Sequence, residues 1–279
     1  MVIVPIDKAL PDIEMQRLIE RSEAKAIIFD EKYLETIKKV QEKENSNLKT
    51  LICMDNIQEK GIKTFNEILE EGRNQIKNGD QKYDNIEIDE NKMSIMLFTS
   101  GTTNEPKAVM LSQANICANI SNIACWVKLY PTDVLLSFLP IHHTFECTIT
   151  FLYGFYSGSQ VAFCDGLKHI QQNLKEYKVS VFVAVPLVLE TMYKKIQKAI
   201  EEQGKTGLIK KMTKISNTLL KAKIDIRKIV FKQILDNFGG HLRVVLYGAA
   251  PMNKATIIGY NNLGISLVQG YGLTETSPV

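Results

Sequence analysis

Short apolar segments alternate with helix-like segments along most of this 279-residue chain, and this alternation limits the fold more than any other feature. Helix-like patterns lie at Asp12–Arg21, 33–40 and 64–71, and further ones follow. The strand candidates, in chain order, are VIVP, AKAIIF, LKTLICM, MSIMLF, VLLSFL, QVAFC, VSVFVAV and LRVVLY. Such a rhythm favours parallel sheets covered by helices on both faces. We predict an α/β fold with two lobes of parallel-rich sheets flanked by helices.

Three segments indicate how the chain is organised. The turn YPTD at 130–133 predicts a boundary between lobes at 1–130 and 131–279, and the polar, acid-rich residues 72–91 predict a surface loop. Residues 204–232 hold nine Lys or Arg and one acid. Apolar residues there recur at spacings of four and three, which predicts one apolar stripe on a helix or helix pair. The stripe members are Leu208, Met212, Ile215, Leu219, Ala222, Ile226 and Ile229.

Two interpretations of this basic segment stay open. The stripe either packs on the body of the protein with its lysines in solvent, or it forms a basic face that contacts an anionic membrane weakly. The formal net charge of +3 does not require a nucleic-acid or membrane partner. A nucleic-acid binder built on this segment is disfavoured, because Phe231 is its one aromatic residue and no nucleic-acid module is present.

Cysteine usage and the N-terminus bear on the compartment. The five cysteines are scattered without a CxxC pair, which is typical of reduced thiols. The N-terminus lacks the basic start of a signal peptide. The longest apolar run, VSVFVAVPLVL, is too short for a membrane-spanning helix. We therefore expect a cytoplasmic protein.

The polar stretch FTSGTTNEPKAV at 98–109 is the strongest candidate for a binding loop. It follows the strand candidate MSIMLF, and a helix pattern with Ser112 as its candidate N-cap comes after it. Backbone N–H groups, hydroxyls and a lysine between a strand and a helix form the usual surroundings of a bound phosphate. The loop is not a Walker A motif, because GxxxxGK[ST] is absent.

The stretch TSGTTNEPKAV closely resembles the phosphate-loop signature of the adenylate-forming enzymes, a family that includes acyl-CoA synthetases, firefly-type luciferases and peptide-synthetase adenylation domains. Asn104 and Ala108 depart from that signature, since both positions are usually glycine. Asn104 is a mild change, because Asn tolerates positive φ better than other residues with a side chain. The matching residues are Thr99, Ser100, Gly101, Thr102, Thr103, Pro106 and Lys107.

Three further stretches occur in the family's order. LPIHHTFE at 139–146 resembles the motif that lines the acyl pocket, in its long-chain acyl-CoA synthetase form. LYGAAPM at 246–252 resembles the loop beside adenine, and QGYGLTETSP at 269–278 resembles the YGxTE motif. The chain as a whole is similar to long-chain fatty acid:CoA ligases. Its ends resemble interior points of the large N-terminal region, so we expect a fragment truncated at both ends and lacking the C-terminal domain.

The resemblance implies a role for each matched residue. The catalytic residues are Lys107, Thr274 and Glu275, with Thr99 and Glu275 as Mg²⁺ contacts. The acyl pocket contains His143, Phe145, Cys147 and Val185. The nucleotide-binding residues are Thr99, Ser100, Gly101, Thr102, Thr103, Lys107, Gly248, Ala249, Ala250, Pro251, Gln269, Gly270, Tyr271, Gly272 and Thr274, with Tyr271 stacked on adenine and Thr274 at the α-phosphate.

The resemblance also implies a reaction, that of an AMP-forming acid–thiol ligase. A carboxylic acid, taken as a medium- to long-chain fatty acid, reacts with ATP to give acyl-AMP and pyrophosphate, and CoA then takes the acyl group. Two alternatives stay open: transfer to a carrier-protein thiol, and a catalytically incomplete fragment that binds nucleotide or acyl-adenylate. The acyl chain length, the oligomeric state and the activity of the chain by itself are left open by the sequence.

Overall fold

The computed structural model describes residues 1–99 and 105–279, and it has the predicted α/β architecture. The chain divides into two compact units, Met1–Ala114 and Asn115–Val279. The predicted lobe boundary after residue 130 therefore lies inside the second unit. There the Tyr153 hydroxyl donates to the carbonyl of Val127 at 2.6 Å, which ties the residues before 130 to those after it.

The first unit contains a parallel sheet and an antiparallel strand pair. The parallel sheet has the order β1-β2-β3, and β4 pairs with β5. Met15 and Ile19 pack with Phe29, Ile37 and other residues in the core against this sheet. The elements are α1 (Asp12–Arg21), β1 (Ala26–Phe29), α2 (Leu34–Gln41), β2 (Thr50–Cys53), β3 (Ile62–Thr64), α3 (Phe65–Lys77), β4 (Met93–Thr99) and β5 (Lys107–Ser112), with a 3-10 turn at Glu31–Tyr33.

The second unit is a five-stranded parallel sheet of order β10-β9-β8-β6-β7 with helices on it. Its elements are α4 (Gln113–Trp126), β6 (Val134–Ser137), a π-helical segment (Glu146–Leu152), α5 (Tyr153–Tyr156), β7 (Gln160–Phe163), α6 (Ile170–Glu176), β8 (Val181–Ala184), α7 (Pro186–Glu202), α8 (Thr206–Lys221), α9 (Arg227–Val230), α10 (Lys232–Leu235), β9 (Val244–Tyr247), α11 (Lys254–Asn262) and β10 (Ser266–Gln269), with 3-10 turns at Leu167–His169, Asp236–Phe238 and Thr274–Thr276.

The two faces of the five-stranded sheet are covered by different helices. Leu136, Phe182 and Val245 point to one face, where they pack with residues of α6, α7, α10 and α11. The π-helical segment packs on β6 and β8, and a Cβ on Gly154 of α5 would lie 3.8 Å from Leu135, the residue beside Leu136. Because neighbouring residues of a strand point to opposite faces, α5 covers the second face.

The amino-terminal edge of this sheet is closed by an ion pair. Arg243 donates to both oxygens of Asp133, at 2.9 and 2.6 Å, and the Ser180 hydroxyl donates to the same carboxylate at 2.7 Å. Burial acts to raise the pKa of Asp133, but the bonds from Arg243, Ser180 and the Tyr130 N–H outweigh it and hold the pKa below its usual value. The carboxyl-terminal edge contains no such pair among the described residues that line it.

The predicted strand–loop–helix order around 98–112 is wrong, because strand β5 stands between the loop and α4. β5 runs antiparallel to β4, with Thr99 opposite Lys107. Val109 and Leu111 are buried while Met110 is 67% exposed, which is the alternation of a strand with one covered face. The loop therefore connects two paired strands, and α4 begins directly after Ser112.

Three other details of the predicted elements are corrected. The segment VIVP forms a single bridge, Ile3 to Ile95, instead of a strand. The predicted surface loop at 72–91 begins later, because α3 continues to Lys77. In α8 the stripe does not form one buried face: Leu208 and Ile215 are exposed, while Met212 of the stripe packs against the core together with Ile209, which lies next to Leu208.

Candidate functional site

A cavity of about 520 Å³ opens at the carboxyl-terminal edge of the five-stranded sheet. Because the strands are parallel, the segments after β6, β8, β9 and β10 all meet at this edge, which is where α/β proteins usually bind ligands. The lining is mainly apolar. It consists of Leu139, Pro140, His143, Thr144, Phe145, Glu146, Val185, Ala249, Gly270, Gly272, Leu273, Thr274, Pro278 and Val279.

The Phe145 side chain brings three separate motifs together at this cavity. A Cβ on Gly248 would lie 3.0 and 3.1 Å from Cε2 and Cζ of the Phe145 ring. A Cβ on Gly270 would lie 3.9 Å from the same Cε2. The ring of the HHTFE motif therefore packs over glycines of the GAAP and QGYG motifs. Glycine at 248 permits this close approach, since a side chain there would displace the ring.

The segment after β10 folds back on itself beside the cavity. A Cβ on Gly272 would lie 1.8 Å from the Pro278 carbonyl oxygen, so no larger residue fits without a backbone shift. The Thr276 hydroxyl oxygen lies 2.8 Å from the Leu273 carbonyl oxygen and 2.9 Å from that of Pro278, so its one proton can be donated to either of them. These contacts fix the turn that starts at Thr274 and place Thr274 in the cavity wall.

Helix α4 holds this same segment through Asn119. The buried Asn119 amide donates to the carbonyl of Thr276 at 3.1 Å and to the carbonyl of Val279. Sequence reasoning missed both Asn119 and Thr276. The sequence marked Asn119 as a polar residue inside an apolar helix pattern. That pattern alone does not show what such a residue contacts.

The loop after β9 has a strained backbone. Ala249 adopts φ of 67°, a left-handed conformation that costs an alanine roughly 1–2 kcal/mol. Two contacts fix the loop downstream: the Glu190 carboxylate of α7 accepts from the Asn253 N–H at 2.9 Å, and the Asn253 side chain caps α11. Strain at a non-glycine residue is common at ligand sites.

The HHTFE segment contributes both titratable side chains of the lining, His143 and Glu146. The ring centroids of His142 and His143 lie 4.4 Å apart. Glu146 is fully buried at the start of the π-helical segment, and burial raises its pKa to about 7, against smaller lowering contributions from Ser137, Thr150 and the Phe138 N–H. Glu146 is a third residue that sequence reasoning missed as a site residue, although a charged residue at the start of an apolar run was the available signal.

Other predicted site residues of the second unit lie outside the lining. Tyr271 is 87% exposed, and Glu275, Ala250 and Pro251 are exposed as well. Cys147 is half-buried beside Glu146, and burial raises the pKa of its thiol. Gln269 accepts from the Tyr247 hydroxyl at 3.1 Å. Of the predicted site residues, the lining therefore contains His143, Phe145 and Val185 from the acyl pocket and Ala249, Gly270, Gly272 and Thr274 from the nucleotide-binding set.

In the first unit, the described part of the phosphate loop is attached to helix α1. Arg17 and Arg21 donate to the two oxygens of Glu105, at 2.9 and 3.2 Å. Thr99 and Lys107 are paired residues at the end of the β4–β5 pair that the loop connects. The predicted phosphate contacts Ser100, Gly101, Thr102 and Thr103 lie outside the described residues.

The described side chains that could bind a divalent cation suit Mg²⁺, provided that substrate phosphates and water supply most of its ligands. Within residues 1–99 and 105–279, no cluster of three or more His, Cys, Asp or Glu side chains forms a metal cage. Mg²⁺ in phosphate-transfer sites usually takes one or two carboxylates and completes its coordination with phosphates and water. The single exposed carboxylate of Glu275 fits that pattern.

Comparison with known proteins identifies the family. The model of the AMP-binding enzyme family matches residues 1–279. The chain belongs to the AMP-binding enzymes. Mouse (Mus musculus) long-chain-fatty-acid–CoA ligase 6 is 29% identical over 99% of this chain and 42% of its own length. Arabidopsis thaliana long chain acyl-CoA synthetase 4 is 27% identical over 98% of this chain and 44% of its own.

Solved structures of AMP-binding enzymes share the fold. The anthranilate CoA ligase AuaEII, in complex with anthranoyl-AMP, aligns over 100% of this chain and 46% of its own with a TM-score of 0.72 at 14% identity. The N-terminal domain of FACL13 from Mycobacterium tuberculosis aligns over 99% of this chain and 57% of its own with a TM-score of 0.67 at 19% identity. The resemblance inferred from the motifs and the predicted fold class are both confirmed.

Proposed function

We propose that the protein containing this chain activates a medium- to long-chain fatty acid with ATP and passes the acyl group to CoA. The observation that carries this proposal is the apolar cavity where three family motifs meet around Phe145. The long-chain ligases named above, of which the chain spans about two fifths, support the choice of substrate. Because the chain spans about two fifths of these relatives, we state the activity of the whole protein as a proposal.

Different residues of the second unit would contact different parts of the acyl-adenylate. His143, Phe145, Val185 and Cys147 would surround the acyl chain near its carboxyl end. Gly248, Ala249, Ala250 and Pro251 would lie beside adenine, with Tyr271 stacked on the ring. Thr274 would donate to the α-phosphate, with Gln269, Gly270 and Gly272 supplying the backbone around it. The exposure of Tyr271 leaves its ring face free for such stacking.

The phosphate loop would hold the β- and γ-phosphates of ATP. Lys107 supplies positive charge, and Thr99, Ser100, Gly101, Thr102 and Thr103 supply hydroxyl and N–H donors. The contacts of Arg17 and Arg21 with Glu105 support this role, because they join the side chain two residues before Lys107 to helix α1. These ion pairs are exposed, so they contribute little to the free energy of unfolding. Their proposed role is to position the loop.

The chemistry requires two anions to react. The substrate carboxylate is ionised at neutral pH and attacks the α-phosphorus without a general base, so His143 has a binding role here. Lys107 offsets phosphate charge while the loop donors hold the pyrophosphate in line with the attacking oxygen. Mg²⁺, held by Thr99 and Glu275 when bound, would neutralise further phosphate charge.

The test is fatty-acid-dependent exchange of labelled pyrophosphate into ATP, measured with the full-length protein. Lys107→Ala should lower the exchange rate by about 10²- to 10³-fold, the usual effect of removing one electrostatic contact to a transition state. Lys92→Ala, an exposed lysine just before β4, should leave the rate unchanged. Exchange at the wild-type rate in Lys107→Ala would overturn the role of this loop.

The same preparation separates the alternatives. Acyl transfer to CoA distinguishes a CoA ligase from an enzyme that loads a carrier-protein thiol. Acid and nucleotide binding without exchange would support the incomplete binding fragment instead.

The exposed face of α8 favours a second, peripheral role at a membrane. Leu208 is 54% exposed and Ile215 42% exposed, on a helix whose side chains include Lys210, Lys211 and Lys214. Exposed apolar residues among lysines suit the interface of an anionic bilayer. Across the described ranges, no helix is long and apolar enough to cross a bilayer. Co-flotation with anionic but not neutral vesicles, lost in a Leu208→Ser, Ile215→Ser double variant, is the expected result.

We propose a cytoplasmic location because the cysteines form no disulfides. Cys53, Cys117, Cys125, Cys147 and Cys164 are all free, which suits a reducing cytoplasm.

A further inference from the structure

The loop after β9 keeps a strained residue in the cavity wall. Ala249 has φ of 67° and belongs to the lining. A left-handed residue with a side chain persists only where its surroundings determine its conformation, because it would otherwise relax to a negative φ. The contacts on the two sides of Ala249 therefore indicate what holds it.

Before Ala249, the five-stranded sheet fixes the backbone. Tyr247 ends β9, an interior strand, and pairs there with Ala184 of β8 and Gln269 of β10. The Tyr247 carbonyl accepts from the Gly270 N–H at 2.8 Å, and its side chain is buried. The chain therefore enters the loop from a position that shifts only if sheet pairing breaks.

After Ala249, helix α7 holds the backbone through Glu190. The Glu190 carboxylate accepts from the Asn253 N–H at 2.9 Å, a charge-assisted hydrogen bond. The Asn253 side chain accepts in turn from the Ala255 N–H at 2.8 Å and caps α11. Pro251, between the two fixed points, has a restricted φ. Few backbone angles are left free, so the bond to Asn253 also constrains Ala249.

Helices α7 and α11 are joined by other contacts as well. The Tyr260 hydroxyl of α11 donates to the Leu189 carbonyl of α7 at 2.8 Å. The ring centroids of Tyr193 and Tyr260 lie 5.4 Å apart, and a Cβ on Gly259 would lie 2.1 Å from Cζ of Tyr193. Loss of the Glu190 carboxylate should therefore release the loop and leave the two helices packed.

We propose that Glu190 is a positioning residue for the nucleotide, which holds Ala249 in its left-handed conformation and so keeps the loop at 248–251 in the shape that contacts adenine. The inference rests on the proposed function, because that function places adenine beside this loop. Glu190 lies outside the four motif stretches and outside the described lining of the cavity. It acts on the ligand through the loop.

The first test is the ATP dependence of pyrophosphate exchange by the full-length protein. Glu190→Ala should raise the KM for ATP by roughly two- to tenfold, the usual effect of one lost hydrogen bond. The KM for fatty acid and kcat at saturating ATP should stay nearly unchanged. Glu190→Gln keeps an acceptor oxygen and should restore most of the ATP affinity. Glu201→Ala, at an exposed position near the other end of α7, should leave all three constants unchanged.

The second test uses Ala249→Gly, because glycine adopts a left-handed φ without strain. Adding it to Glu190→Ala should recover part of the lost ATP affinity, which a purely structural role of Glu190 would not produce. In urea unfolding of this chain, Ala249→Gly should raise the midpoint while Glu190 is present. It should not raise the midpoint in Glu190→Ala, where Ala249 is free to relax.

The outcomes separate this inference from the function beneath it. An unchanged KM for ATP in Glu190→Ala, or an equal rise in the KM for fatty acid, would overturn the positioning role and leave the fatty-acid function standing. Equal stabilisation by Ala249→Gly with and without Glu190 would overturn it too. Absence of exchange in the wild type would overturn the proposed function, and urea unfolding would still decide whether Glu190 holds Ala249.

Discussion

At the residue scale, Ala249 shows how the site constrains a single backbone. Its φ of 67° is left-handed, whereas its neighbour Ala250 has no positive φ. Ala249→Gly should raise the free energy of unfolding by up to about 1 kcal/mol, because glycine adopts this conformation without strain. Ala250→Gly should lower it by about 0.4–1 kcal/mol, because glycine there increases the entropy of the unfolded chain. Urea unfolding of the two variants checks this, and equal effects would contradict the assigned strain.

A second prediction at this scale concerns Glu146 and stability. Its pKa is raised from 4.5 to about 7 in the folded chain, so the folded state binds the proton more tightly than the unfolded state. Stability should therefore fall as pH rises from about 4.5 to 7 and then level off. Glu146→Gln should remove that part of the slope, while Glu190→Gln should keep it. An unchanged pH profile in Glu146→Gln would show that Glu146 titrates normally.

At the element scale, helix α4 holds the segment after β10. Asn119→Ala removes the hydrogen bonds to the carbonyls of Thr276 and Val279, at a cost of about 0.5–1.5 kcal/mol per bond. Asn122→Ala, at an exposed position of the same helix, should be neutral or slightly stabilising, since alanine favours helices. Thermal unfolding of the two variants measures the difference. Equal melting temperatures would show that the amide contacts add nothing.

The elements also show which parts of the fold the sequence predicts. Helix α1 occupies the predicted residues, because its apolar positions repeat at helical spacing against a core. Strand β5 was missed because its alternation is short and follows a loop rich in Thr. In α8 the predicted stripe is right at Met212, which packs against the core, and wrong at Leu208, which is exposed. Leu208 and its neighbour Ile209 are both apolar, and the packing partners decide that Ile209 makes the core contact.

At the scale of the whole molecule, the motifs predicted the family, but their mutual contacts required the fold. Phe145, Gly248 and Gly270 lie far apart in sequence and meet because three parallel strands end at one edge. Asn119 and Glu146 differ locally from other residues as polar side chains in apolar segments, and what they contact depends on which groups the fold brings around them. The predicted roles of Tyr271 and Glu275 remain predictions, because both side chains face solvent beside the cavity.

The central claim is that the cavity around Phe145 accepts a long acyl chain attached to an adenylate. The most direct measurement is the melting temperature of this chain with non-hydrolysable acyl-adenylate mimics of increasing acyl length, with AMP as the control. A ligand that binds the folded state raises the melting temperature by mass action. We predict a shift that grows with acyl length into the long-chain range and exceeds that of AMP. Shifts that do not depend on acyl length, or no shift with any mimic, would contradict the claim.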